Sequence, residues 1–515
     1  MWFTRFLCLV LVAQGLLVAQ TLSEKIEAVL SASSPARRGF WGVHVVSLDG
    51  GGTLASYQQD RSFVPASTAK LFSTALALSR LGPDHRFVTS VTADQPLEAS
   101  GRLAGDITLV GGGDPTMSAR PLPYGRNQAA GNPLQAIEDL AEQVVARGLR
   151  RVEGNVVGDD TAYPWEPYSE GRAQEDALWE YGAPVSALTV NENRLTLTVR
   201  PAGRAGEPAR LRLSPPLEYF AIDNRVRTVA GGETKIQLER MQGSRQLRVW
   251  GVVAARSAAA SRVIAMDDPA EFAAAALYEA LTRRGVVISG KPVSRHRFVN
   301  EVPDLKRGAA RPAAAGRFEL ARRLSPPLAE ILEVTNKESL NLHAELVLRE
   351  VGRVRRQMGA RQAALEELRA FLGEAGIASD ECELVDGSGL SMLNAVTPRA
   401  LTRLLIYMHA SPLRAVWMAL LPVAGQDGTL RQRLTGAPAG SIRAKTGTMN
   451  RVSALAGYAQ TKAGGTLAFA ILVNNYTAPA AEIRAATDRI IMLVLDEGSR
   501  NADLRVPLRG VRRGV

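Results

Sequence analysis

Residues 63–82 read FVPASTAKLFSTALALSRLG. The segment opens as a turn and runs into a helix pattern, with Leu71, Phe72, Ala75, Leu76 and Leu78 as its apolar stripe. Ser67, at the junction, is of the type that caps helix starts, and Gly82 stands where a helix would stop. A helix from Ser67 to about Gly82 puts Ser67 and Lys70 on one face, one turn apart. Such a pair is either a polar turn of an ordinary helix or a nucleophile with its base. The tetrad alone does not separate these, since roughly one or two Ser-x-x-Lys matches arise by chance in a chain of this size. A helix start does bring backbone N–H groups and the positive dipole end beside the serine, and both favour a developing oxyanion. A lysine serves as base near neutral pH only where burial or a nearby cation disfavours its charged form.

A second cation is offered by RAKTGTMN, as Lys445-Thr446-Gly447-Thr448; read blandly, this is a strand end with an exposed lysine. A third element is NKESLNLHAE, where Ser339 and Asn341 stand two apart. That spacing cannot share a helix face, so it fits a turn between two helices. A hydroxyl and an amide there could relay a proton and hold a substrate amide. Other signals are weaker. VGGGDPT lacks the Gly-Lys-Ser/Thr end of a phosphate loop and reads as a turn. VDGSGLS lacks Gly-x-Ser-x-Gly, which argues against Ser388 as a nucleophile. The five histidines show no paired metal-ligand spacing, so no metal or other cofactor is expected. Cys382 reads as a small buried residue.

Around these motifs the chain changes texture. GFWGVHVVSLDGGGTLASYQQD predicts two strands joined at Gly50–Gly52, and VSALAGYAQ and TLAFAILVNNY predict two more near the other end. These strands can form one sheet with helices against it. Between them, short strands such as DITLV, RLTLTV and QLRVWGVV surround two helices. Each of those helices runs through Arg-Gly into a Val-containing strand, as two related αβ units flanking a β-rich centre would. The middle reads as an insertion whose exit is LKRGAARPAAAGRF. The expected division is 21–88 with 322–500 for the core, 89–160 with 263–321 for an inserted αβ unit, and 161–262 for a β-rich unit.

The chain of 515 residues is too long for one core, and 46% apolar with 22% charged residues suits a folded protein. Residues 1–20 read as a secretory signal, an apolar run after Arg5 that is too short to span a bilayer. Only Cys8 and Cys382 are present, so the exported chain would hold no internal disulfide. A net charge of +11 suits an acidic polymer or an anionic membrane face, and residues 501–515 form a basic tail that is either a solvated end or a membrane contact. Nucleic acid is not an expected partner of an exported chain without a nucleic-acid motif.

Taken in order, Ser-x-x-Lys, Ser-x-Asn and Lys-Thr-Gly resemble the signature set of penicillin-interacting serine acyltransferases. The mature chain resembles class C low-molecular-mass penicillin-binding proteins, the D-alanyl-D-alanine carboxypeptidase/endopeptidase family. FVPASTAKLFSTALAL, LVGGGDPTM, YGAPVSALTVNEN, SPPLAEILEVTNKESLNLHAE, LVDGSGLSMLN and LPVAGQDGTLRQRL with RAKTGT look like its blocks. Leu340 and His343 stand where relatives often have Asn and Tyr. The resemblance implies an α+β fold, a penicillin-binding/serine β-lactamase-like core of antiparallel sheet flanked by helices, with a β-rich two-domain insertion. It implies Ser67 as nucleophile, Lys70 as base, Ser339 as proton relay and Asn341 as holder of Lys70 and the substrate amide. Lys445 would tune the pair and, with Thr446 and Thr448, receive the terminal carboxylate. Gly447 would let the peptide lie close, and the N–H groups of Ser67 and Thr448 would form the oxyanion hole. Peptidoglycan stem peptides would be the substrate, β-lactams covalent inhibitors and the periplasm the compartment. The alternatives are a β-lactamase or esterase on the same core, and a non-catalytic wall-binding or β-lactam-sensing protein.

Overall fold

The computed structural model describes residues 20–32, 37–125, 128–308, 317–436, 438–462 and 464–503. Nearly all of the expected signal segment, most of the basic tail and residues 309–316 of the expected exit lie outside the described residues. The strand patterns from the two ends of the chain meet in one antiparallel sheet of five strands. Its order is Ile442–Met449, Val452–Gln460, Thr466–Asn474, Phe40–Ser47, Thr53–Tyr57. Phe40 pairs with Asn474 and Ser47 with Leu467, so the first strand of the chain lies beside one of its last.

Two-residue alternation divides this sheet into unequal faces. In Thr466–Asn474, Leu467, Phe469, Ile471 and Val473 point to helices Leu22–Ala32 and Ala480–Asp503, packing with Ile26, Ile483, Ile490 and Val494. Ala468, Ala470 and Leu472 point the other way, with Ala454 and Ala456 of the neighbouring strand, towards Phe72, Leu401, Leu404 and Met408. The alanines let helices Lys70–Leu81 and Pro398–Ala410 approach that face closely.

The expected stripe on the first of these helices is wider in the structure. Lys70, Ser73 and Thr74 are buried along with Leu71, Phe72, Ala75, Leu76 and Leu78. The helix is central, between the sheet and helices Leu328–Lys337 and Asn341–Arg356, so no side of its first two turns faces water. Its polar side chains bond internally: the Ser73 hydroxyl donates to the Gly387 carbonyl at 2.7 Å and that of Thr74 to the Lys70 carbonyl at 2.6 Å. Ser67 does not cap it. Ala66–Ala69 is a tight 3-10 turn, the α-helix begins at Lys70, and neither start has a side-chain cap. Gly82 ends the helix, its φ at 81° and its N–H on the Leu78 carbonyl.

The middle of the chain leaves and returns through one doorway. Strands Val88–Ala93 and Phe318–Leu324 are antiparallel neighbours, and the Phe87 N–H reaches the Ser325 hydroxyl at 2.9 Å. They edge a sheet ordered Pro292–Phe298, Val156–Trp165, Ile107–Val110, Val88–Ala93, Phe318–Leu324. The two helix–Arg-Gly–strand patterns lie side by side: helix Gln135–Ala146 contacts helix Pro269–Arg283, and the strands after them pair in parallel, Val156 with Pro292. Two further three-stranded sheets lie between residues 194 and 265. Divisions at 88/89, 160/161, 262/263 and 321/322 would each cut a strand, because composition shifts before a hydrogen-bonded ladder ends.

Filling the small-residue face should be costly. Ala470→Leu is expected to destabilise the protein by about 1–3 kcal/mol through overpacking, read as a lower urea midpoint; an unchanged midpoint would show slack between sheet and helix.

Candidate active site

The turn that carries Ser67 is fixed from three sides. Before it, the Asn474 side chain clasps the Val64 backbone, accepting from its N–H at 2.8 Å and donating to its carbonyl at 3.1 Å. Ala66 adopts a left-handed conformation (φ 45°), and its carbonyl lies against Gly389. A Cβ at Gly389 would fall 1.9 Å from that oxygen. On the third side is Gly447, where a Cβ would lie 2.7 Å from the Pro65 carbonyl oxygen and 3.1 Å from the Ser67 nitrogen. The glycine of Lys-Thr-Gly thus admits the turn that bears the serine. This is a use of Gly447 beside the expected one of letting a peptide lie close.

Lys70 is fully buried, and its Nζ has three partners: Ser67 Oγ at 2.8 Å, Asn341 Oδ1 at 2.6 Å and the Ser388 carbonyl at 2.6 Å. The last two are acceptors only, so they take the two hydrogens of a neutral amine and leave its lone pair for Ser67. The Asn341 amide orientation is fixed because its Nδ2 donates to the Tyr181 carbonyl at 2.8 Å. Burial holds the Lys70 pKa down at about 7 against the pull of Asp386 and Glu345, with Arg172 helping to lower it.

Ser339 lies between helices Leu328–Lys337 and Asn341–Arg356, as expected, in a left-handed conformation with φ 60°. Lys445 Nζ is 2.8 Å from Ser339 Oγ and donates to the Thr446 carbonyl at 2.8 Å. Its pKa is well below the ordinary lysine range, first through burial and then through the charge of Lys70. Of the two causes the sequence left open, burial or a second cation, burial is the larger at Lys70, while the repulsion between the two lysines lowers Lys445. The Thr446 hydroxyl donates to Thr429 Oγ1 at 2.8 Å, and Thr448 is exposed. Ser67, Asn341, Tyr181, Met392 and Thr448 line a cavity of about 670 Å³.

Several contributions were not foreseen in the sequence. Ser388 serves through its carbonyl, as part of a loop folded around Asp386, whose carboxylate accepts from the backbone N–H of Gly389 and Ser391 at 2.8 Å each. Asn474 and Glu345 carry no motif of their own; their roles depend on which backbone comes near. Cys382 is buried and its thiol pKa is raised, in keeping with a packing role. Among the described residues no three metal-ligating side chains gather.

A serine and a neutral-capable lysine under an antiparallel sheet, with a second serine–lysine contact facing them, define a serine acyltransferase of the penicillin-interacting class. The chain belongs to the D-Ala-D-Ala carboxypeptidase 3 (S13) family, whose model matches residues 22–493. It is 34% identical over 473 residues to a D-alanyl-D-alanine carboxypeptidase of Actinomadura sp., covering 89% of this chain and 82% of that one. It is 26% identical to the penicillin-sensitive carboxypeptidase A of Dictyostelium discoideum, over 86% of this chain and 83% of the relative. The crystal structure of penicillin binding protein 4 from Haemophilus influenzae shares the fold, with a TM-score of 0.77 at 21% identity over 93% of this chain and 99% of that one. The chain is a serine DD-peptidase acting on D-Ala-D-Ala bonds of peptidoglycan.

Gly447→Ala should push the Ser67 turn out of register. Its kcat/KM on a D-Ala-D-Ala peptide is expected to fall on the order of 10- to 100-fold; retention of full activity would show that the strand can withdraw without moving Ser67.

Proposed function

We propose that Ser67 is the nucleophile and Lys70 its base, and that the enzyme cleaves the terminal D-Ala-D-Ala bond of peptidoglycan stem peptides through an acyl-enzyme. The observation that carries this reading is a buried lysine Nζ 2.8 Å from the Ser67 hydroxyl, with two acceptor-only oxygens at 2.6 Å placed to take the hydrogens of its neutral form and leave the lone pair to Ser67. Ser67 Oγ attacks the carbonyl of the penultimate D-alanine as its proton passes to Lys70 Nζ. The N–H groups of Ser67 and Thr448 receive the oxyanion. Collapse of the tetrahedral intermediate breaks the C–N bond, and the proton held by Lys70 reaches the leaving amine by way of Ser339. Water then attacks the ester, giving its proton back through Lys70 and releasing the shortened peptide and Ser67.

Asn341 holds Lys70 and, in this reading, the substrate's amide; Thr446, Thr448 and Lys445 receive the terminal carboxylate. A β-lactam acylates Ser67 in the same way, but its leaving nitrogen stays tethered, so the adduct persists. The compartment proposed is the periplasm, reached through the N-terminal signal, and the basic tail is proposed as a peripheral membrane contact. D-alanyl-diaminopimelate cross-links are a second bond type open to the same chemistry.

Incubation with labelled penicillin should give one covalent adduct on intact protein and none on Ser67→Ala. Labelling that persists in the variant would remove Ser67 from its role, and rapid turnover of the drug would favour a β-lactamase. Digestion of purified muropeptides would divide carboxypeptidase from cross-link cleavage.

The pH dependence follows from the lysine. Only neutral Lys70 has a lone pair, so the acylation rate should fall about tenfold per pH unit below the Lys70 pKa, about 7, and level off above it. A profile that stays flat well below that value would remove Lys70 as the base.

A further inference from the structure

Helix Asn341–Arg356 presents Asn341, Glu345 and Arg349 at four-residue spacing, one turn apart on one face. Each meets the inserted segment 163–182, in reverse order along it. Asn341 Nδ2 donates to the Tyr181 carbonyl at 2.8 Å, Arg172 Nη2 to Glu345 Oε1 at 3.1 Å, and Arg349 pairs with Glu166. Between these contacts Leu342 and Leu346 pack with Tyr163, Val185 and Ala187. The insertion is therefore strapped, turn by turn, to the helix that holds Lys70 through Asn341.

The middle rung has a second grip. The Glu345 carboxylate accepts from the Ser388 N–H at 3.1 Å and the Gly387 N–H at 3.2 Å. The carbonyl of that same Ser388 takes a hydrogen of Lys70 at 2.6 Å. Glu345 is 2% exposed and the Arg172 side chain 6%, so neither charge is screened by water. A buried carboxylate this close to a buried lysine favours the ammonium form, in which no lone pair remains. The guanidinium paired with the carboxylate opposes that effect.

Resting on the reading of Lys70 as base, we propose that Glu345 and Arg172 are positioning residues for it. Glu345 aims the Ser388 carbonyl at Nζ, and Arg172, supplied by the insertion, balances the carboxylate charge so that Lys70 stays neutral-capable. The groups facing Lys70 from each element around it are Ser67 on its own turn, Asn341 and Glu345 on the helix, Asp386 and the Ser388 carbonyl on the loop, Arg172 from the insertion and Lys445 from the strand. Of these, only Arg172 can lose its charge without removing an atom that touches Lys70, Ser67 or the Asp386 loop; Glu345→Gln also gives up one of the two oxygens that hold the Ser388 and Gly387 N–H groups.

The test is the pH profile of penicillin acylation on the full chain, measured alongside the thermal midpoint. Arg172→Gln leaves the carboxylate unopposed, and the acidic limb should move up by roughly one pH unit, the scale of one neighbouring charge. Glu345→Gln removes the carboxylate, and the limb should move down while the plateau rate falls. Arg172→Lys should keep the limb near its wild-type position, and the double variant Arg172→Gln/Glu345→Gln should bring it back towards that position. If Arg172→Gln does not fold, the step from Glu345→Gln to the double variant reads the same charge. Lowered thermal midpoints with an unmoved limb in every variant would make the pair merely structural and overturn the proposal. Failure of the Lys70 reading shows separately, as a wild-type profile without an acidic limb.

Discussion

A lysine shut away from water beside a serine is the constraint on which the rest of this structure depends. An isolated ammonium in that position would be strongly disfavoured, and the fold meets the difficulty by offering acceptors matched to the neutral amine. Asn341 Oδ1 and the Ser388 carbonyl come from two different parts of the chain, and each must arrive within hydrogen-bond distance of Nζ. The small-residue face of the sheet, the central burial of helix Lys70–Leu81 and the loop around Asp386 all serve that convergence.

The burial also gives the two lysines different electrostatic surroundings. Lys70 sits near the middle of the range in which a base works at neutral pH, whereas Lys445 lies far below its ordinary value. Two ammoniums in one buried site repel each other, which helps to lower the Lys445 pKa, and Lys445 Nζ donates to the Thr446 carbonyl and contacts Ser339. A bound carboxylate would alter that balance by favouring a proton on Lys445.

Much of this was legible in the sequence, and what was not has a common cause. Alternation in TLAFAILVN and VSALAGYAQ marks strands, the spacing of Ser339 and Asn341 marks a turn between helices, and the repeated helix–Arg-Gly–strand pattern foretells two units that the structure pairs side by side. Motif order was enough to gather Ser67, Lys70, Ser339, Asn341 and Lys445 as candidates. Ser67 as a helix cap failed because its hydroxyl is turned to Lys70, a partner that local propensity does not weigh. Ser388 was weighed only through its hydroxyl, and its contact to Lys70 is made by a backbone carbonyl, which every residue has. Arg172 and Glu345 escaped because an ion pair between distant segments leaves no spacing to read.

The pairing of Phe40 with Asn474 has a further consequence, for the order in which the molecule can assemble. Strand Phe40–Ser47 emerges early from any vectorial process, whether synthesis or export, yet its neighbour Thr466–Asn474 arrives almost last. Until then the first strand, paired only with Thr53–Tyr57, keeps its other edge open, and helix Lys70–Leu81 has no completed sheet to cover. The stretch from Val88 to Leu324, by contrast, closes on itself with its first and last strands side by side. Contacts so distant along the chain form slowly, so the insertion is placed to consolidate first and the core to close around it afterwards. The site that gathers Ser67, Lys70 and Lys445, drawn from distant parts of the chain, comes into being only with that final closure.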